Sequence, residues 1–276
     1  MEKKSESDKP IGIFDSGVGG LTVLKEIAAR LPEEDIIYLG DTARVPYGIK
    51  SPETVIKFSQ QNARFLLEKG IKMLVAACNT SSAVSLPALR EETGIPVIGV
   101  IEPGARAAVR STKTGKIGVI GTEATIKSMA YEKAIKGARG QGAKLEVITK
   151  SCPLFVPLAE EGWIENPVAE MTVEIYLKDL RDKGVDTLVL GCTHYPLLKN
   201  TIQRFMGNGV LLIDSAEETA KDIESLLKEN DLLLKGKLSI KNFYVSDNPE
   251  RFSKVGRVFL GENGLGRLST VDLSRY

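Results

Sequence analysis

Two stretches of this chain match each other without a gap at a constant offset of 114 residues. The segment EKGIKMLVAACNT (Glu68 to Thr80) aligns with DKGVDTLVLGCTH (Asp182 to His194). In both, an apolar run of strand length follows a glycine and leads at once into a cysteine and polar residues, a pattern typical of a buried strand with functional side chains at its end. The repeat therefore predicts two similar units that present Cys78 and Cys192 at equivalent strand ends.

The repeat extends beyond these segments. A predicted first strand at Ile11 to Phe14 ends in the glycine-rich turn DSGVGG, and Lys116 to Thr122 repeats that strand with its polar end. A strand over residues 96–101, closed by Glu-Pro-Gly, has its counterpart at residues 211–212. Alternating strands and helices favour mostly parallel sheets with right-handed crossovers. We expect an α/β fold of two pseudo-symmetric βαβ-type domains with the active site in the cleft between them.

Overall charge and composition exclude several classes of protein. Lys and Arg exceed Asp and Glu by a single charge, so nothing indicates a nucleic-acid partner. Residues 1–9 form a charged tail, predicted to be flexible, with no apolar signal segment, and no run approaches the roughly 18 apolar residues of a membrane span. The three cysteines are an odd number, which favours free thiols in a reducing cytoplasm.

Paired thiols suit three chemistries. A zinc site could use the three cysteines and the only histidine, but no C-x-x-C pair is present and Cys192 and His194 are too close in sequence for the usual ligand spacing. A redox pair also lacks the C-x-x-C spacing. The third chemistry is two-base proton transfer, in which one thiolate removes a proton from one face of a carbon acid and the other thiol protonates the opposite face. Two facing units would supply both faces.

A thiolate base needs assistance at neutral pH, since a free cysteine has a pKa of about 8.5. Asp15, at the end of the first predicted strand, could assist Cys78, and His194 could assist Cys192. No strand end carries a lysine that would suit pyridoxal phosphate. We therefore expect no cofactor and no metal.

Five motifs together closely resemble the glutamate racemase family: DSGVGGLTV from Asp15, GDTARVPYG from Gly40, ACNTSSA from Ala77, CPLFVPLAEEG from Cys152 and GCTHYPLL from Gly191. The similarity runs from Ile11 to about Gly261. It implies a cofactor-independent enzyme that interconverts L-glutamate and D-glutamate by two-thiol transfer of the Cα proton and supplies D-glutamate for bacterial peptidoglycan. It also implies a cytoplasmic homodimer, with glutamate as its small-molecule partner and no nucleic-acid or membrane partner.

The resemblance also implies roles for individual residues. The catalytic acid/base residues would be Cys78 and Cys192, assisted by Asp15 and His194, with Glu160 tuning the site. The implied substrate-binding residues are Asp15, Ser16, Asp41, Tyr47, Gly48, Asn79, Thr80, Thr122, Thr125, Thr193 and His194. The family pattern leaves Cys152 without a role, and we interpret it as a structural thiol. Domain one would comprise residues 10–102 and 214–276, and domain two residues 103–213.

Three alternative functions stay open from the sequence. A related racemase could act on aspartate, because two thiols do not set the side-chain length of the substrate. A binding protein without catalytic activity could hold an amino acid in the same cleft. A hydrolase could use Cys192 and His194 as nucleophile and base, although this leaves Cys78 unexplained and residues i and i+2 of an extended strand end need not meet. Residues 265–276 carry no clear structural pattern.

Overall fold

Two parallel sheets organise the molecule. The computed structural model describes residues 5–140, 144–234, 236, 239–261 and 264–276. Its larger sheet has the strand order β10-β9-β2-β1-β3-β4, and its smaller sheet has the order β6-β5-β7-β8. The strands are β1 (Ile11–Asp15), β2 (Ile36–Gly40), β3 (Met73–Ala76), β4 (Val97–Gly99), β5 (Lys116–Gly121), β6 (Glu146–Ser151), β7 (Thr187–Gly191), β8 (Leu211–Asp214), β9 (Lys241–Val245) and β10 (Arg267–Thr270).

Helices cover both faces of each sheet. They are α1 (Leu21–Arg30), α2 (Pro52–Glu68), α3 (Asn79–Val84), α4 (Leu86–Thr93), α5 (Ile101–Ser111), α6 (Glu123–Lys127), α7 (Ala130–Ala138), α8 (Phe155–Glu160), α9 (Pro167–Asp182), α10 (Lys199–Met206), α11 (Ser215–Glu229) and α12 (Pro249–Leu260), with 3₁₀ turns at Glu6–Asp8, Tyr47–Ile49 and Tyr195–Leu198. Separate apolar clusters fill the two faces of each sheet, as expected for parallel strands buried on both sides. No helix formed by the described residues is long and apolar enough to cross a membrane.

The predicted repeat is confirmed by the strand order. The run β2-β1-β3-β4 in the larger sheet corresponds to β6-β5-β7-β8 in the smaller one, and all recorded strand pairs are parallel. The helix before each cysteine-bearing strand repeats as well. Both α2 and α9 start with proline behind a side-chain cap, from Ser51 and Asn166. Gly70 and Gly184 then end these helical segments at the same φ of 73°, a conformation that glycine adopts at little cost.

Two segments differ from the sequence prediction. The predicted strand over residues 96–101 is shorter, and the chain enters α5 at Ile101 because Pro103 falls in the first helical turn, where it removes no intrahelical hydrogen bond. The unplaced C-terminal residues form β10, which pairs with β9 at the edge of the larger sheet. Residues 241–270 thus return to the first unit. The domain boundaries at 102/103 and 213/214 stay a prediction.

A fully buried ion pair lies at the end of the larger sheet opposite the cysteines. Lys72, immediately before β3, places Nζ 2.6 Å from Glu34 Oε2. The same ammonium donates to the carbonyl oxygens of Ser7 and Leu232, each at 2.8 Å, and Glu34 Oε1 accepts from the Leu234 backbone at 2.8 Å. The pair therefore ties the N-terminal segment and the chain after α11 to the sheet. Residues 1–4 of the predicted tail lie outside the described residues.

Candidate active site

The two thiols lie at the carboxyl ends of equivalent central strands. In the larger sheet, β1 pairs with β3 so that Phe14 lies opposite Ala76, which brings Asp15 and Ser16 beside the segment that leads to Cys78. In the smaller sheet, Gly121 lies opposite Gly191, which places Thr122 beside Cys192. The carboxyl ends of parallel strands are where ligands bind in open α/β sheets. The repeat of the strand order therefore places Ser16 beside Cys78 and Thr122 beside Cys192.

Both thiols line a single cavity of about 170 Å³. This volume is below the roughly 300–1,000 Å³ typical of sites for drug-sized ligands, so the cavity suits a small metabolite. Ten predicted site residues line it: Ser16, Tyr47, Gly48, Cys78, Asn79, Thr80, Thr122, Cys192, Thr193 and His194. Seven further residues line the cavity without having been predicted: Val45, Pro46, Ile49, Glu123, Pro153, Val156 and Pro157. Six of these lie inside or beside the motifs already noted, but an apolar side chain in a motif does not reveal which way it faces.

Cys192 is the first of four residues connected by polar contacts, which run from the end of β7 to α12. Its sulfur lies 3.9 Å from His194 Nδ1, and these two residues meet because the backbone turns to φ −81°, ψ −28° at His194 instead of staying extended. His194 Nε2 lies 3.2 Å from Glu160 Oε1. The other oxygen of Glu160 accepts from Arg251 of α12 at 3.2 Å. Glu160 therefore lies behind the histidine and not in the cavity lining.

These contacts decide the charge of the histidine. Burial alone would lower the pKa of His194, but hydrogen bonds to Cys192 and Glu160, together with their negative charges, outweigh burial and raise the pKa to about 10. The hydrogen bond from His194, supported by Arg251, in turn holds the pKa of Glu160 below its usual range although burial opposes this. At neutral pH His194 is therefore an imidazolium, and its positive charge lies beside the Cys192 sulfur.

We expect Glu160→Gln to lower the pKa of His194 by about 1–3 units, because an adjacent opposite charge shifts a titration by that amount. His194 is the only histidine, so a ¹⁵N-histidine NMR titration reports it without ambiguity. Glu161→Gln, at the exposed neighbouring position, is the matched control and should leave the titration in place. An unchanged titration in Glu160→Gln would contradict this assignment.

The same titration affects stability with a defined sign. The folded pKa of His194 lies above the unfolded value of 6.5, so its stabilising contribution is complete below about pH 6.5 and is lost as the pH rises through about 10. The free energy of unfolding of the parent protein should therefore fall over that window by more than that of Glu160→Gln.

Cys78 has different surroundings. Its sulfur contacts Ser16 Oγ at 3.7 Å. Burial, followed by the negative charge of Asp15, raises the pKa of the Cys78 thiol to about 12. Cys78 is therefore a neutral thiol at physiological pH, whereas Cys192 faces a cation. The two equivalent strand ends thus carry thiols in opposite electrostatic environments.

Asp15 is completely buried behind the cavity. Its Oδ2 accepts from the Gly17 backbone at 2.8 Å, whereas Oδ1 has no hydrogen-bond partner among the described residues. Burial raises the pKa of this carboxyl, against the opposing charge of His194. A buried acceptor without a partner is costly unless a ligand or solvent supplies a donor. Asp15 contributes charge to the site, and its predicted assistance of Cys78 stays a prediction.

A cluster of threonines joins the two units on one side of the cavity. Thr80 Oγ1 lies 3.0 Å from Thr122 Oγ1 and 3.2 Å from Thr125 Oγ1, and the latter two are 3.0 Å apart. Gly48 packs against this cluster, since a Cβ there would lie 2.8 Å from Thr122 Cβ. Thr125 is buried by its neighbours and does not line the cavity. These hydroxyls suit hydrogen bonding to a carboxylate ligand.

Asp41 supports the cavity wall from behind. Its carboxylate accepts from Tyr47 Oη, from Arg44 Nε at 2.6 Å and from Ser246 Oγ at 2.9 Å. Asp41 does not line the cavity, so its contact with the site runs through Tyr47. Its predicted role in substrate binding stays a prediction. On the far side, Thr22 Oγ1 donates to the Thr193 carbonyl at 2.9 Å and joins α1 to the smaller unit.

The three cysteines are free and buried. Cys152 lies in the apolar cluster of the smaller sheet with no exposed surface and does not line the cavity; its structural role stays a prediction. Among the described residues, no group of three or more His, Cys, Asp or Glu side chains could hold a metal ion. The three cysteines and the histidine thus do not converge as four ligands.

Comparison with known proteins gives consistent results. Residues 11–223 match the Asp/Glu/Hydantoin racemase family. A glutamate racemase of Geobacter metallireducens is 58% identical over 96% of this chain and 97% of its own length. Two solved structures are also similar: glutamate racemase isoform RacE1 from Bacillus anthracis, 42% identical with a TM-score of 0.91 over 96% of this chain and 98% of its own, and glutamate racemase from Francisella tularensis in complex with D-glutamate, 41% identical with a TM-score of 0.90 over 98% of this chain and 100% of its own.

Proposed function

The chain belongs to the Asp/Glu/Hydantoin racemase family and is a racemase, and from this premise we propose that it interconverts L-glutamate and D-glutamate. The observation that carries the proposal is the placement of Cys78 and Cys192 in one cavity from equivalent strand ends. The glutamate racemases to which it is similar, including the one crystallised with D-glutamate, support the choice of substrate.

The unequal surroundings of the thiols support a direction for the first proton transfer. Cys192, beside the imidazolium of His194, is the base that removes the Cα proton. Cys78, a neutral thiol, protonates the opposite face of the carbanion. After one turnover Cys192 holds a proton and Cys78 has lost one, so either the reverse reaction or exchange with solvent restores the starting state. His194 and Asp15 assist the two thiols by charge.

The remaining predicted residues bind and enclose the substrate. Thr80, Thr122 and Thr193 supply hydroxyls at the cavity wall, and the buried charge of Asp15 behind the wall would favour an ammonium group in the cavity. Six apolar side chains, from Val45, Pro46, Ile49, Pro153, Val156 and Pro157, restrict water at the site. Excluding water strengthens the electrostatic interactions that a carbanion requires.

A direct test uses separate reactions with L-glutamate and L-aspartate. Circular dichroism monitors racemisation, and ¹H NMR in D₂O monitors the loss of the Cα proton signal. We expect racemisation of glutamate, with deuterium entering Cα as the product forms. Preference for aspartate would overturn the substrate assignment. Binding of glutamate without any exchange at Cα would favour a binding protein without catalytic activity, and hydrolytic turnover that survives Cys78→Ala would favour the hydrolase.

The cellular role extends this proposal. A supply of D-glutamate for peptidoglycan, a cytoplasmic location and a homodimer are implied by the resemblance to glutamate racemases. Three free cysteines suit a reducing compartment. Sedimentation velocity of the full chain tests the dimer, and a D-glutamate requirement in a deletion strain tests the role.

A further inference from the structure

A buried row of hydrogen bonds connects the two cysteine-bearing loops behind the cavity. Asn79 Nδ2, one residue after Cys78, donates to Tyr131 Oη at 2.8 Å. Tyr131 Oη lies 2.9 Å from Ser215 Oγ, and Ser215 Oγ reaches the Leu190 carbonyl, two residues before Cys192, at 3.5 Å. We call Asn79, Tyr131, Ser215 and the Leu190 carbonyl the relay.

The relay spans the two units. Asn79 is the first residue of α3, next to the larger sheet, whereas Tyr131 lies in α7, which follows β5 of the smaller sheet. Ser215 starts α11, where the chain leaves the smaller sheet after β8. The Tyr131 ring also packs on the residue before Cys192, since a Cβ on Gly191 would lie 2.9 Å from Tyr131 Cε2. The Tyr131 side chain therefore contacts a residue adjacent to each cysteine: Asn79, which follows Cys78, and Gly191, which precedes Cys192.

The direction of the hydrogen bonds is set by the donors. Since the Asn79 amide donates to the Tyr131 oxygen, the Tyr131 hydroxyl is free to donate to Ser215, and Ser215 to the Leu190 carbonyl. Burial raises the pKa of the Tyr131 hydroxyl well above its usual range, so the hydroxyl keeps its proton throughout the physiological range. Tyr131 and Ser215 are not part of the cavity lining. They touch neither thiol sulfur by hydrogen bond and act through the elements that carry them.

We infer that Tyr131 and Ser215 are positioning residues that fix the separation of the Cys78 and Cys192 thiols across the substrate. The inference rests on the proposed two-thiol racemisation. Such a reaction needs both sulfurs within reach of one carbon at the same time, and a displacement of about 1 Å can cost 10²-fold in rate. The relay can hold that separation because it joins Asn79, the residue after Cys78, to Leu190 at the strand end before Cys192.

The ratio of Cα exchange to inversion distinguishes this role from simple loss of folded protein. If the separation relaxes in Tyr131→Phe, one thiol still removes the Cα proton but the other delivers its proton less often. The thiol that received the proton then exchanges with solvent and returns deuterium to the same face. In D₂O, recovered L-glutamate should gain deuterium while D-glutamate forms slowly, with kcat for racemisation about 10–100-fold lower. Unfolding of part of the sample lowers both rates equally.

Tyr195→Phe is the matched control. Tyr195 is as fully buried as Tyr131, and its hydroxyl donates to the Cys152 carbonyl at 2.8 Å, outside the relay. This variant should keep the parent ratio of exchange to inversion. Ser215→Ala removes the next member of the relay and should reproduce the raised ratio even if Tyr131→Phe folds poorly. The double variant Tyr131→Phe/Ser215→Ala should be no worse than Tyr131→Phe, since groups in one network are not additive.

The outcomes separate this inference from the proposed function. If the parent protein neither racemises glutamate nor exchanges its Cα proton, the two-thiol function fails and the inference fails with it. If the parent is active but Tyr131→Phe and Ser215→Ala keep the parent ratio, only the relay is wrong. Additive losses of rate in the double variant also contradict a shared positioning role.

Discussion

Replacing either Cys78 or Cys192 with serine should lower racemisation by about 10²–10⁴-fold in both directions, the usual contribution of a general acid or base. Both thiols line the same cavity, and in the proposed mechanism each serves one face of Cα. A serine hydroxyl is a far weaker acid than a thiol, so it neither accepts nor delivers the proton efficiently. Circular dichroism of reactions begun from each enantiomer measures both directions.

Deuterium exchange at Cα should affect a different enantiomer in each cysteine variant. In Cys78→Ser, the remaining Cys192 still faces the Cα proton of one enantiomer, and exchange should persist for that enantiomer alone. In Cys192→Ser, exchange should be confined to the other enantiomer and be much slower, because the Cys78 thiol is neutral at physiological pH. Cys152→Ser is the matched control: Cys152 is equally a buried free thiol but does not line the cavity. The folded fraction of Cys152→Ser should retain the racemisation rate of the parent protein.

Full turnover in Cys78→Ser would show the two-thiol scheme to be wrong. Exchange of the same enantiomer by both cysteine variants would contradict opposed thiols, even if racemisation were lost. Loss of activity in Cys152→Ser with normal folding would show that activity depends on buried thiols in general.

Breaking the buried Lys72–Glu34 ion pair should produce the largest loss of stability. Neither side chain has appreciable exposure, and the ammonium also holds two backbone carbonyls. Lys72→Met leaves the Glu34 charge buried without its partner, which typically costs about 3–5 kcal/mol. For a chain of this size that corresponds to a fall in Tm of roughly 6–20 °C. Urea unfolding and differential scanning calorimetry measure it.

Two comparisons test the cause of this loss. Lys178→Met removes an exposed partner of Asp182 and should cost about 1 kcal/mol or less, as is usual for surface pairs. The double variant Lys72→Met/Glu34→Leu removes both buried charges and should recover much of the stability lost in Lys72→Met. If Lys72→Met were no more destabilising than Lys178→Met, the buried pair would not anchor the sheet end as inferred.

Much of the site could be predicted from local sequence. The ungapped repeat places Cys78 and Cys192 at the ends of equivalent strands, and continuous apolar runs of strand length identify those strands. Because parallel strands end at one edge, residues next to the strand ends, such as Ser16 and Thr122, could be placed in the same cavity. Eight of the ten predicted residues that line the cavity follow β1, β3, β5 or β7 within four residues, whereas Tyr47 and Gly48 come from the longer loop after β2.

Residues that act from behind the cavity were harder to identify. Arg251 and Tyr131 reach the site from helices remote in sequence, and nothing local to either residue indicates its partner. Asp41 was predicted to bind substrate, yet its carboxylate is taken up by three protein donors. Glu34 and Lys72 look like ordinary surface residues in the sequence, since charged residues are almost never fully buried unless paired.

In the amino-acid sequence Cys78 and Cys192 are equivalent, because each follows a glycine and an apolar run of strand length, which define the same local structure twice. The difference between the two thiols arises in the folded structure. Burial and Asp15 keep Cys78 protonated, whereas Glu160, fixed by Arg251 from the returning C-terminal helix, keeps His194 charged beside Cys192. Charge states depend on distance and burial, which a linear sequence does not specify, and they distinguish the two thiols.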